Sequence, residues 1–191
     1  LGKNLKQFIN QTSARQKPKL VGILNLTTNS FSDGGQFYNF ENAVEHLQEL
    51  INDGADIIDI GAESTKPYTT PITPEKQLEK LIPILNYCKT NNIKTPLSID
   101  TRSAKVAQKC LEILPCTIND ISGFEYDTKM ADIIAKNSAK VVIQHSKGIP
   151  ENMQEKPLYK NLIDEIYLNL LNKIKFAVSK GRSEEHTLNS S

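Results

Sequence analysis

Apolar residues arrive along this chain in two alternating rhythms. Short runs of mostly branched aliphatics stand at 20–24, 57–60, 97–99, 117–121 and 141–143. Runs of this length and composition read as strands buried on both faces. Between them the apolar positions follow a helical period. Ala43, Val44, Leu47, Leu50 and Ile51 predict a helix over 41–53, and Gly54 can end it in the left-handed conformation. Thr73 before Pro74 offers a hydroxyl cap, then a proline where a missing N–H costs nothing. Leu78, Leu81, Ile82 and Leu85 carry that helix's stripe, with a kink expected at Pro83. A third helix spans 103–114 through Val106, Cys110 and Leu111. A fourth is opened by Asp127 and uses Met130, Ile133 and Ile134. The last spans 159–180, with Leu162, Ile163, Ile166, Leu170, Ile174 and Ala177 on one side and Gly181 as its stop.

The order is strand then helix, five times over. Regular alternation predicts a parallel sheet with right-handed crossovers. Two architectures fit. An open doubly wound sheet is complete at this length, whereas a TIM barrel takes eight units and typically ~250 residues. The polar residues separate the two. They gather at the C-terminal end of every apolar run: Asn25, Asp59 with 61–65, Asp100, Asn119 with Asp120, and Gln144 with His145. An open sheet concentrates its ligand site at one switch point. Polar groups at all five strand ends read instead as a ring around a barrel mouth. The expected fold is therefore α/β, a TIM (β/α)8 barrel of which this chain supplies about the first five units.

Composition adds limits. The 191 residues are 38% hydrophobic and 24% charged, which suits one soluble globular domain or part of a larger one. A net charge of +1 gives no electrostatic ground for a nucleic-acid or anionic-membrane partner. Cys88, Cys110 and Cys116 form no C-x-x-C pair. An odd count without a signal peptide fits reduced thiols in a cytoplasm, used as small buried hydrophobes. No apolar run approaches the ~20 residues of a membrane span. Residues 1–19 lack an apolar signal core and read as an extension or linker, and the chain opens on Leu1 instead of Met, as a processed or internal piece would.

Five stretches could carry chemistry. In GILNLTTNSFSDGG (22–35) an apolar strand gives way at Asn25 to hydroxyls, amides and a glycine pair. The Asn25 amide oxygen suits a hard cation such as Mg2+, and the hydroxyls suit a phosphate; an ordinary polar loop has the same composition. In GAESTKP (61–67), Ser64, Thr65 and Lys66 suit an anionic ligand, or simply a solvated loop. In LSIDTRS (97–103), Asp100 can accept two parallel N–H donors from an amino-heterocycle, or cap the following helix in competition with Thr101 and Ser103. In TINDISG (117–123), Asn119 is an amide within an apolar strand; it either ties neighbouring strands or reads a ligand that both donates and accepts. His145 in VVIQHSKGIP (141–150) stands where a metal ligand or base could, but no second His or Cys lies at ligand spacing, so a structural role is expected.

Together these stretches resemble dihydropteroate synthase, the pterin-binding TIM-barrel family. The likeness runs from about Leu20 to Gly181 and is carried by GILNLTTNSFSDGG, GAESTKP, LSIDT and IND in the family's order. It implies an enzyme of folate synthesis that joins p-aminobenzoate to 6-hydroxymethyl-7,8-dihydropterin diphosphate, releasing pyrophosphate and 7,8-dihydropteroate. It also implies Mg2+ at the diphosphate, with Asn25 as the metal-associated residue. Thr65, with Ser64 and Lys66, matches a second mobile substrate loop, and Asp100 and Asn119 match residues that read the pterin edge. The resemblance assigns no catalytic residue, and no general base is demanded, since an aromatic amine is already neutral near physiological pH. The start at Leu1 in place of Met leaves room for a fused upstream folate-pathway domain, and the full-length protein could form a homodimer. The rival readings are a pterin-binding methyltransferase and an inactive fragment.

The chain departs from the family at several points. Thr27-Thr28-Asn29-Ser30 stands where Thr-Pro-Asp-Ser is usual, which loosens the loop and removes a charge. Lys66 stands for an arginine and lacks its bidentate fork. The later Asp-Pro-Gly, Ser-Arg-Lys and Arg-x-His segments are absent. Residues 20–181 thus read as a partial barrel. Residues 182–191, RSEEHTLNSS, carry no apolar run for a sixth strand and read as a foreign tail.

Overall fold

A computed structural model describes residues 18–27, 39–63, 71–145 and 159–181, and the backbone of 187–189. Its strands are β1 (Val21–Asn25), β2 (Ile57–Gly61), β3 (Leu97–Asp100), β4 (Thr117–Asp120), β5 (Lys140–Ile143) and β6 (Thr187–Asn189). Its helices are α1 (Phe40–Asn52), α2 (Pro74–Thr90), α3 (Ala104–Ile113), α4 (Lys129–Lys136) and α5 (Leu162–Ser179). All six strands are parallel and lie in the order β1-β2-β3-β4-β5-β6.

That order decides between the two architectures. A doubly wound sheet reverses direction at its switch point, whereas here each strand joins the next on the same side. Right-handed crossovers in one constant direction put every helix on the same face. Burial alternates accordingly. Leu24, Ile58, Ile60, Leu97, Ile99, Ile118, Val141 and Ile143 face the helices and are buried with Leu47, Leu81, Leu85, Val106, Met130 and Ile134. The opposite face is the one that a barrel turns toward its lumen. Here its apolar residues at β1 lie open, with Val21 52% and Ile23 59% exposed.

Local signals act largely as the pattern predicts. Thr73 accepts from the Lys76 N–H, and α2 runs on through Pro83. Gly54 and Gly181 follow their helices at φ +90° and +89°, a conformation open to glycine at little cost. Ser103 wins the competition to cap α3, accepting from the Val106 N–H, so Asp100 is free of that duty. Asp127 stands just before α4 and its Oδ1 accepts from the Lys129 N–H, while its Oδ2 reaches back to the Ala104 N–H at the start of α3.

Two differences stand out. Leu162 and Ile163, expected on the buried side of the last helix, are exposed, and the buried positions are Lys173 and Ala177. The other is β6, in a stretch without an apolar run. Its backbone continues the ladder from β5, pairing Thr187 with Val141 and Asn189 with Ile143. Ladder bonds come from the main chain, and an uncovered edge offers them to any extended segment.

Candidate functional site

Register gathers the predicted residues. Asn25 pairs with Gly61, Gly61 with Asp100, and Asp100 with Asn119. These four form one row across the strand ends, on the face away from the helices. One step earlier lies the row Ile23, Asp59, Ser98 and Thr117. Asp59 shares a face with Gly61 because strand side chains alternate.

Gly61 leaves a gap in the upper row. A Cβ at that position would lie 3.5 Å from Asp100 Oδ2 and 3.6 Å from Asn25 Oδ1. The missing side chain opens a cradle between an amide oxygen and a carboxylate. On its far side Asn119 Nδ2 donates to Asp59 Oδ2 at 3.1 Å. Asp59 Oδ1 and Asn119 Oδ1 are buried without a partner among the described residues. Both are acceptors, and an orphaned buried acceptor costs on the order of 1–3 kcal/mol. A pair of them beside Asp100 forms a surface that wants N–H or O–H donors.

The electrostatics agree. Burial, with the neighbouring charges of Asp59, Glu63 and Asp120, raises the Asp100 carboxyl to about 7; Arg102 opposes the rise. Arg102 is buried, donates from Nη2 to Glu63 Oε1 at 3.3 Å and lies over the Tyr126 ring at 4.4 Å. Gln77 joins this group, donating to Glu63 Oε2 at 3.4 Å and accepting from the Thr101 hydroxyl at 3.0 Å. The end of β2 is thereby tied to α2 and to the entrance of α3. Beneath β4, Asp120 is fully buried on the helix side and accepts from the Ser122 N–H, the Ser122 hydroxyl and the Phe124 N–H.

Of the residues singled out in the sequence, Asn25, Asp100 and Asn119 meet at one mouth. Ser64, Thr65 and Lys66 lie outside the described residues. His145 is held at both ring nitrogens, Nδ1 at 2.9 Å from Asn169 Oδ1 and Nε2 at 3.1 Å from the Tyr159 hydroxyl. Among the described residues no group of three or more His, Cys, Asp or Glu could hold a metal. Sequence reasoning missed Asp59 as a site residue, although IIDI shows a carboxylate inside an apolar strand just as TIND shows an amide. It also missed the Glu63–Arg102 pair, which no spacing rule reveals because 39 residues separate the partners.

Known proteins resemble this chain over most of its length. A dihydropteroate synthase of Clostridium beijerinckii is 38% identical over 173 residues, covering 91% of this chain and 61% of the relative. A mitochondrial folate synthesis bifunctional protein of Arabidopsis thaliana is 33% identical over 178 residues, covering 89% of this chain and 31% of the relative. The crystal structure of a dihydropteroate synthase from Clostridium difficile, obtained in the presence of pteroic acid, superposes with a TM-score of 0.82 at 33% identity. It covers 91% of this chain and 64% of that one. The chain thus spans about three fifths of the clostridial relatives, and its sheet is part of the TIM barrel that such structures complete. The family described as pterin binding enzyme matches residues 21–188, so the chain belongs to the pterin-binding enzymes.

Proposed function

We propose that this chain carries the pterin-reading part of a dihydropteroate synthase. The reaction joins the amine of p-aminobenzoate to the exocyclic carbon of 6-hydroxymethyl-7,8-dihydropterin diphosphate. A C–N bond forms, the C–O bond breaks, pyrophosphate leaves with the electron pair, and the amine gives up one proton. The observation that carries the reading is a pair of acceptors without a partner among the described residues, Asp59 Oδ1 and Asn119 Oδ1, beside the Asp100 carboxylate. The 2-amino-pyrimidinone edge of a pterin presents N–H donors in a row, and Asn119 can both donate and accept. Asp100 becomes a better acceptor once such donors favour its charged form.

Mg2+ fits the donor set at Asn25. This ion is commonly held by one or two protein oxygens, with waters and substrate phosphates completing its shell. Asn25 offers one such oxygen at the mouth, and the Gly61 cradle leaves room beside it. When bound, the ion would offset the charge that grows on the departing pyrophosphate. Ser64, Thr65 and Lys66 follow directly on Glu63, whose carboxylate is anchored by Arg102 and Gln77. In this reading their hydroxyl and ammonium groups serve the anionic part of the substrate. The Arabidopsis relative is bifunctional by name, which supports a further folate-pathway domain in the parent protein.

Calorimetric titration with the pterin diphosphate tests the proposal. Binding should require Mg2+ and fall about tenfold or more when Asp59 is replaced by Asn or Asn119 by Leu. Equal binding with the metal chelated and with both acceptors replaced would overturn it.

A further inference from the structure

The mouth ends of β4 and β5 are joined by a side chain from neither strand. Lys173 lies on α5, far in sequence from Asn119, yet is only 6% exposed. Its Nζ donates to the Ser122 carbonyl at 3.1 Å and the Gln144 carbonyl at 2.8 Å, and pairs with Glu125 Oε1 at 3.0 Å. An ammonium has three protons, and three oxygens take them. Gly123 stands against this group at φ +56°, where a Cβ would come 2.7 Å from Lys173 Nζ and 2.8 Å from the Gln144 carbonyl. The lysine fills the space that a side chain at 123 would need.

Burying an ammonium in a helix's packed face is costly, and an apolar residue would fill that position without the desolvation. What the charge gains is a fixed attachment for two carbonyls at the mouth. Ser122 lies in the turn that follows Asn119, and Gln144 directly follows β5. Asp120 already gathers this turn from within, through Ser122 and Phe124. Lys173 holds the same turn from outside and ties it to the neighbouring strand.

We propose that Lys173 is a positioning residue for the ligand: by clamping the Ser122 and Gln144 carbonyls it holds the β4 mouth so that Asn119 keeps its amide oxygen aimed at the pterin. The inference rests on the pterin reading above. A lysine that served packing alone would affect stability and leave ligand affinity unchanged; a positioning lysine affects affinity through Asn119.

The test uses 6-hydroxymethylpterin, whose fluorescence reports binding, with circular dichroism on the same samples. Lys173→Met should weaken binding about tenfold or more, whereas Lys173→Arg, which keeps charge and donors, should stay within about threefold of the parent. Lys173→Gln keeps a donor without charge and serves if the Met variant does not fold. In an Asn119→Ala background the change at 173 should cost little more, because coupled residues are not additive. A folded Lys173 variant that melts earlier yet binds as tightly as the parent overturns the inference, as does full additivity with Asn119→Ala. Failure of the unmodified chain to bind the probe would sink the pterin reading itself, and this inference with it.

Discussion

At the scale of single residues, Asp100 carries a conflict between stability and use. Its folded carboxyl titrates near 7 because burial and three neighbouring acids disfavour the charge. An unfolded Asp titrates near 3.9. Between those values the folded state holds more protons than the unfolded one, so stability falls as pH rises from about 4 to about 7, and this contribution is level above that. Asp100→Asn should therefore stabilise the free chain at pH 8 by up to about 4 kcal/mol and make little difference at pH 4. Urea denaturation at the two pH values measures this. The same change should weaken pterin binding about tenfold, the pattern expected where a site is kept at the expense of stability.

At the scale of elements, the crossovers are tied to each other as well as to the sheet. Asp127 serves the starts of two helices, accepting from Ala104 N–H of α3 at 3.0 Å and from Lys129 N–H of α4 at 3.1 Å. Ser103 supplies one further cap bond to α3, at 3.4 Å. Asp127→Ala should thus cost more than Ser103→Ala, about 2 kcal/mol against about 1 kcal/mol. Equal midpoints in urea for the two variants would contradict this. The strand-helix order, the Thr73 cap and the Gly54 stop were legible because each rests on neighbours within a turn or two. The exposed start of α5 was not: periodicity gives a stripe but cannot say how much of its length has a partner. Lys173 sits on that stripe three residues after Leu170 and four before Ala177, and a charge at a packed position was the readable hint of its role.

At the scale of the whole molecule, the sheet of the described residues ends at β1 and β6, and among those residues the lumen face at β1 is uncovered. Ile23→Thr should then cost less than about 0.5 kcal/mol in this chain, since an exposed side chain has little burial to lose. The same change inside a closed barrel would cost about 1–3 kcal/mol. Chemical denaturation of the chain gives the answer. Exposed apolar surface and a free strand edge also predict self-association and binding of a hydrophobic dye. No helix among the described residues is long and apolar enough to cross a membrane.

The sequence by itself determined the alternation of strands and helices, the gathering of polar residues at strand ends, and Asn25, Asp100 and Asn119 as the residues to watch. These follow from local rules: side-chain period, caps and the incompatibility of a carboxylate with an apolar run. Only the tertiary structure decided the sequential strand order, the shared row of those three residues, the orphaned oxygens of Asp59 and Asn119, and the reach of Lys173 to two distant carbonyls. Each of these depends on which strand lies beside which, and main-chain pairing leaves little record of its partner in the side chains of either strand.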